Sequence, residues 1–287
     1  LERIFETMDE PVVVDDAPDA VELPPITGEV EFRDVTFAYE PEVHILENLN
    51  LHVKAGESIA LVGPTGAGKT TVVNLISRFY NLTGGEILLY GRPEEGENAV
   101  AWSEGYDISR VTLHSLRTQM GIMLQDSFIF SGTIRDNMQW ACPDATDEQI
   151  WQALEIAQAA DFVRGKPKGL DEPVETAGRN FSGGQRQRLT IARALVRDPE
   201  ILILDDSASA LDYATDARLR KAIRAHDANV TVFLVSQRAA SIQYADQILV
   251  LDDGALVGQG THAELLESCP VYQEIYYSQF PKEAQNA

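Results

Sequence analysis

The run Gly63-Pro64-Thr65-Gly66-Ala67-Gly68-Lys69-Thr70 holds the plainest chemistry in this sequence. Its glycines let backbone N–H groups curl inward without side-chain obstruction, which makes an anion nest at the start of a helix. In that setting Lys69 reaches the β- and γ-phosphates of a nucleotide, and the Thr70 hydroxyl ligates Mg²⁺, with Thr71 completing the binding set. A chance Gly-rich turn would lack the flanks seen here. Ile59, Ala60, Leu61 and Val62 read as a buried strand before the loop, and Val72, Val73, Leu75, Ile76 and Phe79 are spaced to cover one face of a helix after it. GxxxxGK[ST] between a strand and a helix specifies a nucleoside triphosphate site.

Two further groups belong with it. Ile201-Leu202-Ile203-Leu204 is an apolar strand that delivers Asp205 and Asp206 at its C-terminal end, the edge of an open α/β sheet where ligands bind. Asp205 suits the role of Mg²⁺ partner to Thr70. Upstream, Phe181-Ser182-Gly183-Gly184-Gln185 opens a helix whose free N–H groups and Ser182 hydroxyl suit a second phosphate. A plain helix cap at Ser182 accounts for the same residues.

The elements that must position these groups follow from periodicity. Glu29 to Tyr39 alternates and reads as an edge strand, and Ile45 to Val53, Glu86 to Tyr90, Met120 to Leu124, Val230 to Val235 and Gln247 to Leu251 read as further strands. Asp147 to Ala160, Gln185 to Val196 and Asp216 to Ala225 read as helices. Apolar strands alternating with helices predict an α/β fold with a largely parallel sheet. Leu1, Ile4, Phe5 and Met8 have helical spacing, Asp9 to Pro25 suits an extended linker rather than a packed element, and Arg92 to Gly105 looks like a solvated surface insertion.

Composition narrows the class. The 287 residues are 44% hydrophobic and 24% charged, as in ordinary globular proteins, and no apolar run approaches the ~18 residues needed to span a bilayer. A formal charge of −22 argues against a nucleic-acid surface. Cys142 and Cys269 lack metal-ligand spacing, which fits a reducing compartment. A chain that starts at Leu1 reads as a piece of something longer.

FSGGQRQRLTIARAL, with GPTGAGKT before it and ILILDDSASALD after it, resembles the signature of ATP-binding cassette (ABC) ATPases, and the resemblance covers Gly28 to Tyr277. It implies a P-loop NTPase (RecA-like) core over residues 28–125 and 196–280, an edge antiparallel β subdomain, and an inserted α-helical signature subdomain over 126–195. It also implies ATP and Mg²⁺ as cofactors. Tyr39 then matches the aromatic that stacks on adenine, and Gln125 the glutamine that senses Mg²⁺ and the γ-phosphate. Ser209 to Asp212 matches the loop that crosses a dimer interface, and Glu175 lies in a segment resembling the loop that contacts membrane-domain helices. The entry from Ile26 to Tyr39 and the tail from Gly258 to Leu266 are similar to those of exporters, in which a membrane domain precedes the cassette. Residues 1–27 would be the linker from it, and the domain would lie at the cytoplasmic face of a membrane.

Two positions depart from that pattern. Asp206 stands where the family has the glutamate that polarises the attacking water, and Gln237 where it has a histidine contacting the γ-phosphate. Asp206 draws its carboxylate back by about 1.5 Å, and Gln237 can donate a hydrogen bond but carries no charge. The pair resembles the degenerate half of a heterodimeric exporter. The resemblance implies two cassettes packed head to tail, with Ser182, Gly183, Gly184 and Gln185 completing the partner's site and Lys69, Gln125, Asp206 and Gln237 acting at this one. A homodimeric exporter with two active sites and an ATP-dependent regulatory clamp with little turnover are the competing readings.

Overall fold

The computed structural model describes residues 13–40, 43–91, 104–125, 128–207, 209–227 and 229–281. Strands β1 (Ile26–Glu40) and β2 (Val43–Val53) come first, and β3 (Ser58–Val62) runs into helix α1 (Lys69–Ile76). β4 (Gly84–Gly91) and β5 (Tyr106–Asp107) are followed by α2 (Leu113–Thr118) and β6 (Met120–Met123). A more helical stretch holds β7 (Gly132–Thr133), α3 (Ile134–Ala141), α4 (Asp147–Ile156), α5 (Ala160–Arg164), β8 (Pro173–Val174) and α6 (Gly183–Leu195). The chain then alternates through β9 (Ile201–Asp205), α7 (Tyr213–His226), β10 (Thr231–Val235), α8 (Ala239–Ile242) and β11 (Gln247–Asp252). It finishes with β12 (Ala255–Gly260), α9 (His262–Ser268) and α10 (Pro270–Gln279).

Six strands form the central sheet in the order β12-β11-β3-β10-β9-β6, parallel except for β12 at one edge. The inner strands β11, β3, β10 and β9 are apolar on both faces because both faces are covered. One core cluster joins Ile59, Leu61, Ile203 and Phe233 to α1 and to a separate antiparallel sheet, β2-β1-β4-β5. A second packs Met123, Leu202 and Leu204 under the helical stretch through Leu154, Val163 and Leu189. This is the expected mixed α/β architecture, and the stretch 126–195 adds a two-stranded ribbon, β7-β8, that periodicity does not reveal.

Several expectations change. β1 is not an edge strand, since β2 pairs on one side of it and β4 on the other. Helix α1 stops at Ile76 and buries Thr71, Val72, Val73, Leu75 and Ile76 rather than a single stripe, while Phe79 lies beyond it under the Arg117 guanidinium at 5.1 Å. The helix expected to Ala160 ends at Ile156, because Gln158 adopts a left-handed backbone (φ 60°) and the chain restarts as α5. The helical spacing at residues 1–8 and the insertion at 92–103 lie outside the described residues.

The acidic, Pro-rich segment before β1 is extended, as its composition indicates, but its described part is tied to the domain at several points. Val21 bridges to Val111, Leu23 is buried, and the Leu23 and Ile26 N–H groups donate to Ser115 Oγ and Gln119 Oε1 at 2.8 and 2.9 Å. The buried Arg78 guanidinium donates to the carbonyl oxygens of Val111 and Asp15 at 3.0 and 2.8 Å. Packing therefore begins well before Gly28, where the domain was expected to start. Replacing Arg78 by Ala leaves the buried Val111 carbonyl without this donor and releases the exposed Asp15, while its Nε is itself buried without a partner, so the expected loss is ~2 kcal/mol. It reads as a lower urea midpoint at unchanged m-value, and an unmoved midpoint would show that Arg78 does not hold the strap.

Candidate nucleotide-binding site

Parallel pairing places the chemistry on one edge. Leu61 of β3 stands beside Val235 of β10, and Val235 beside Asp205 of β9; Leu204 in turn pairs with Met123 of β6. The loops that leave these four strands carry the phosphate loop, Gln237, Asp206 and Gln125 respectively. Open parallel sheets bind ligands in the crevice beyond these C-terminal ends.

The phosphate loop follows β3 directly. Gly63 adopts φ 150°, and a Cβ there would run into the Leu251 carbonyl oxygen, so the loop leaves β3 only with glycine in that place. Pro64, Thr65 and Gly66 are exposed, and Ala67 and Gly68 are buried beneath them. Gly68 is the N-cap of α1 in a left-handed conformation, with no capping side chain and no acidic residue in the first turn. Helices α3, α4, α6 and α9 each carry a full capping box instead. The free N–H groups and positive end of α1 thus face the loop's interior, as an anion requires.

Lys69 is only 8% exposed, and its Nζ donates to the carbonyl oxygens of Gly63 and Pro64 at 2.8 and 2.6 Å. Burial pushes its pKa below the usual lysine range, and the Asp205 charge pulls it part of the way back. Asp205 is 2% exposed at the end of β9, and Thr70 is half-buried at the start of α1. A hydroxyl and a carboxylate are hard oxygen donors of the kind Mg²⁺ takes, and such an ion would be shared with phosphate oxygens. Tyr39 sits at the end of β1, half-exposed, with its hydroxyl 3.1 Å from the buried Thr71 Oγ1 and its ring edge-on to Phe37 and Tyr80. That contact brings the β1 aromatic to the phosphate-loop helix, within the same face of the molecule.

Ser182 is a helix cap as the plain reading has it: its Oγ accepts from Gln185 N–H, and Gln185 Oε1 accepts from Ser182 N–H at 3.0 Å. The cap uses one lone pair of the hydroxyl and leaves the N–H groups of Gly183 and Gly184 at the first helical turn. Gly184 lies against the Ala210 carbonyl oxygen, which a Cβ would meet at 3.0 Å. Among the described residues no hydrogen bond joins Ser182–Gln185 to the phosphate loop; the signature turn is tied to the segment after Asp206 instead.

Sequence reading missed two side chains that hold the segment after Asp206. Buried Gln187 donates to the Asp206 carbonyl oxygen at 3.0 Å and accepts from Ala210 N–H at 2.9 Å. Arg238 donates to the carbonyl oxygens of Leu211 and Ser209 at 2.6 and 2.8 Å. Both act on backbone atoms far away in sequence, so no spacing rule reports them. Gln125 and Gln237 are exposed at the sheet edge and Asp206 is half-buried, with φ 53°. Glu175 is exposed in a turn before α6, where its N–H donates to Asn180 Oδ1 at 3.1 Å.

Residues 46–209 match the family model described as ABC transporter. YfiC of Bacillus subtilis (strain 168), an uncharacterized ABC transporter ATP-binding protein, is 41% identical over 281 residues, covering 98% of this chain and 44% of that protein. The ATP-dependent lipid A-core flippase of Desulfotalea psychrophila is 39% identical over 97% of this chain and 46% of its own length. A solved structure of a bacterial Atm1-family ABC exporter with ATP bound superposes with a TM-score of 0.87 at 36% identity, covering 97% of this chain and 46% of that one. The chain spans somewhat under half the length of these relatives. The chain belongs to the ABC transporter family as an ATP-binding domain of the kind found in exporters.

Proposed function

We propose that this domain binds Mg·ATP between its own phosphate loop and the signature turn of a second ABC cassette, head to tail, and so powers export through a membrane domain. The observation that carries this reading is the uncapped N-terminus of α1 beside buried Lys69 and Asp205, while no hydrogen bond among the described residues joins the Ser182 turn to the phosphate loop. Lys69 exchanges its two loop carbonyls for phosphate oxygens, a trade of neutral acceptors for charged ones. Thr70 and Asp205 hold Mg²⁺, which neutralises phosphate charge when bound. A docking surface for the membrane domain is offered by Phe128 and Trp140, 56% and 67% exposed and joined through Phe130. Such a domain works at the cytoplasmic face of a membrane.

The site on this chain hydrolyses slowly. Asp206 holds the place of the water-polarising carboxylate but stops one methylene short, and Gln237 lacks the charge of an imidazolium. The adjoining strands bring these two departures together, since Asp206 N–H donates to the Val235 carbonyl oxygen at 2.9 Å, two residues before Gln237. The competent site of the pair is then the one that Ser182–Gln185 completes on a different partner subunit.

Two measurements test this. Lys69→Met should weaken ATP binding at least about tenfold, the worth of a charge-assisted contact to phosphate, in titration of the chain with ATP; unchanged affinity would remove the phosphate loop from the site. In steady-state assays at high protein concentration, Asp206→Glu/Gln237→His should raise turnover at least about tenfold while ATP affinity stays within about twofold. Equal turnover in the native chain and the double variant would instead favour a homodimer with two active sites.

A further inference from the structure

The C-terminal helix reaches back to the sheet edge. Gln279, at the end of α10, donates through Nε2 to the Gln237 carbonyl oxygen at 2.7 Å and accepts through Oε1 from Ala239 N–H at 2.9 Å. One side-chain amide thus holds both sides of the turn that carries Gln237. Between the two held points, Arg238 grips the carbonyl oxygens of Ser209 and Leu211, so the turn is fixed on both flanks by groups from elsewhere in the chain. The arm that bears Gln279 is itself anchored, because Tyr272 and Tyr276 pack in a buried cluster with Ile242, Ile248 and Val250. Gln237 is exposed two residues beyond the end of β10.

We propose that Gln279 is a positioning residue for the γ-phosphate side of this site: its amide fixes the Gln237 main chain so that the Gln237 side chain addresses the terminal phosphate of ATP. This rests on the reading of Gln237 as the γ-phosphate contact. A hydrogen bond from Gln237 exists only for the nucleotide that has a third phosphate, so ordering Gln237 in advance favours ATP over ADP. Without Gln279 the turn samples other conformations and ATP loses the advantage that ordering gives. ADP, held by the phosphate loop alone, is unaffected.

The test is a set of binding titrations of this chain with Mg·ATP and Mg·ADP, using the native sequence, Gln279→Met, Gln237→Ala and the two substitutions combined. Gln279→Met keeps the length of the side chain and removes both hydrogen bonds at an exposed position, so the fold tolerates it. Its ADP affinity should stay within about twofold, its ATP affinity should fall about fivefold, and the combined variant should bind ATP no more weakly than Gln237→Ala. Equal weakening of both nucleotides would mark Gln279 as merely structural and overturn the proposal. An unchanged preference for ATP, or losses that add in the combined variant, would overturn it as well. A native chain that binds both nucleotides equally overturns the γ-phosphate reading of Gln237 and this proposal with it, whereas a native chain that binds neither overturns the nucleotide site itself.

Discussion

Everything at the sheet edge depends on β10 lying between β3 and β9 in parallel register. Because Val235 aligns with Leu61 on one side and Asp205 on the other, the phosphate loop and the carboxylate strand end at the same height, one strand apart. A slip of one residue would turn Asp205 to the opposite face and bury the wrong side chains on both faces. Register here is secured by apolar runs with nothing polar to trade. Ile201 to Leu204 are all buried, as are Ile59 to Val62, and a shift would have to bring polar flanks into the core at a cost of ~1–3 kcal/mol for each unpaired group. The fold thus fixes the site by burying the strands that precede it, and Lys69 and Asp205 are themselves buried at the rim of that core.

Charge then decides what the edge accepts. A protein with a net charge of −22 repels nucleotide phosphates at long range, so attraction must be local. It comes from oriented N–H groups at α1, which screen little because they are partly buried, and from one lysine held in place by its own loop. Burial lowers the Lys69 pKa, and the Asp205 charge pulls it part of the way back.

How much of this was legible in the sequence follows from the range of each interaction. The phosphate loop, the apolar strand to Asp205 and the start of α6 are local patterns, and each appears where periodicity and capping rules put it. β1 was misread as an edge strand because alternation reports which face is buried, not how many neighbours pair with the backbone. The strap before β1 reads as a linker because its prolines and acids are solvated in isolation; its anchors, Arg78, Ser115 and Gln119, lie far downstream. Gln187, Arg238 and Gln279 were silent for the same reason, since a side chain that bonds to distant backbone leaves no periodic trace.

The departure at position 206 has a backbone side as well as a side-chain side. Asp206 sits at φ 53°, a region that aspartate occupies more readily than longer side chains. Its carbonyl oxygen accepts from Gln187 Nε2, Ser209 N–H and Ser209 Oγ, and its N–H donates to Val235. The main chain at this residue is therefore held from four directions that do not involve its carboxylate. A glutamate there would pay ~1 kcal/mol or less in local conformation, which four hydrogen bonds easily withstand. The main-chain hydrogen bonds at this residue would therefore survive the longer carboxylate. The backbone at this position is thus fixed independently of the carboxylate it carries.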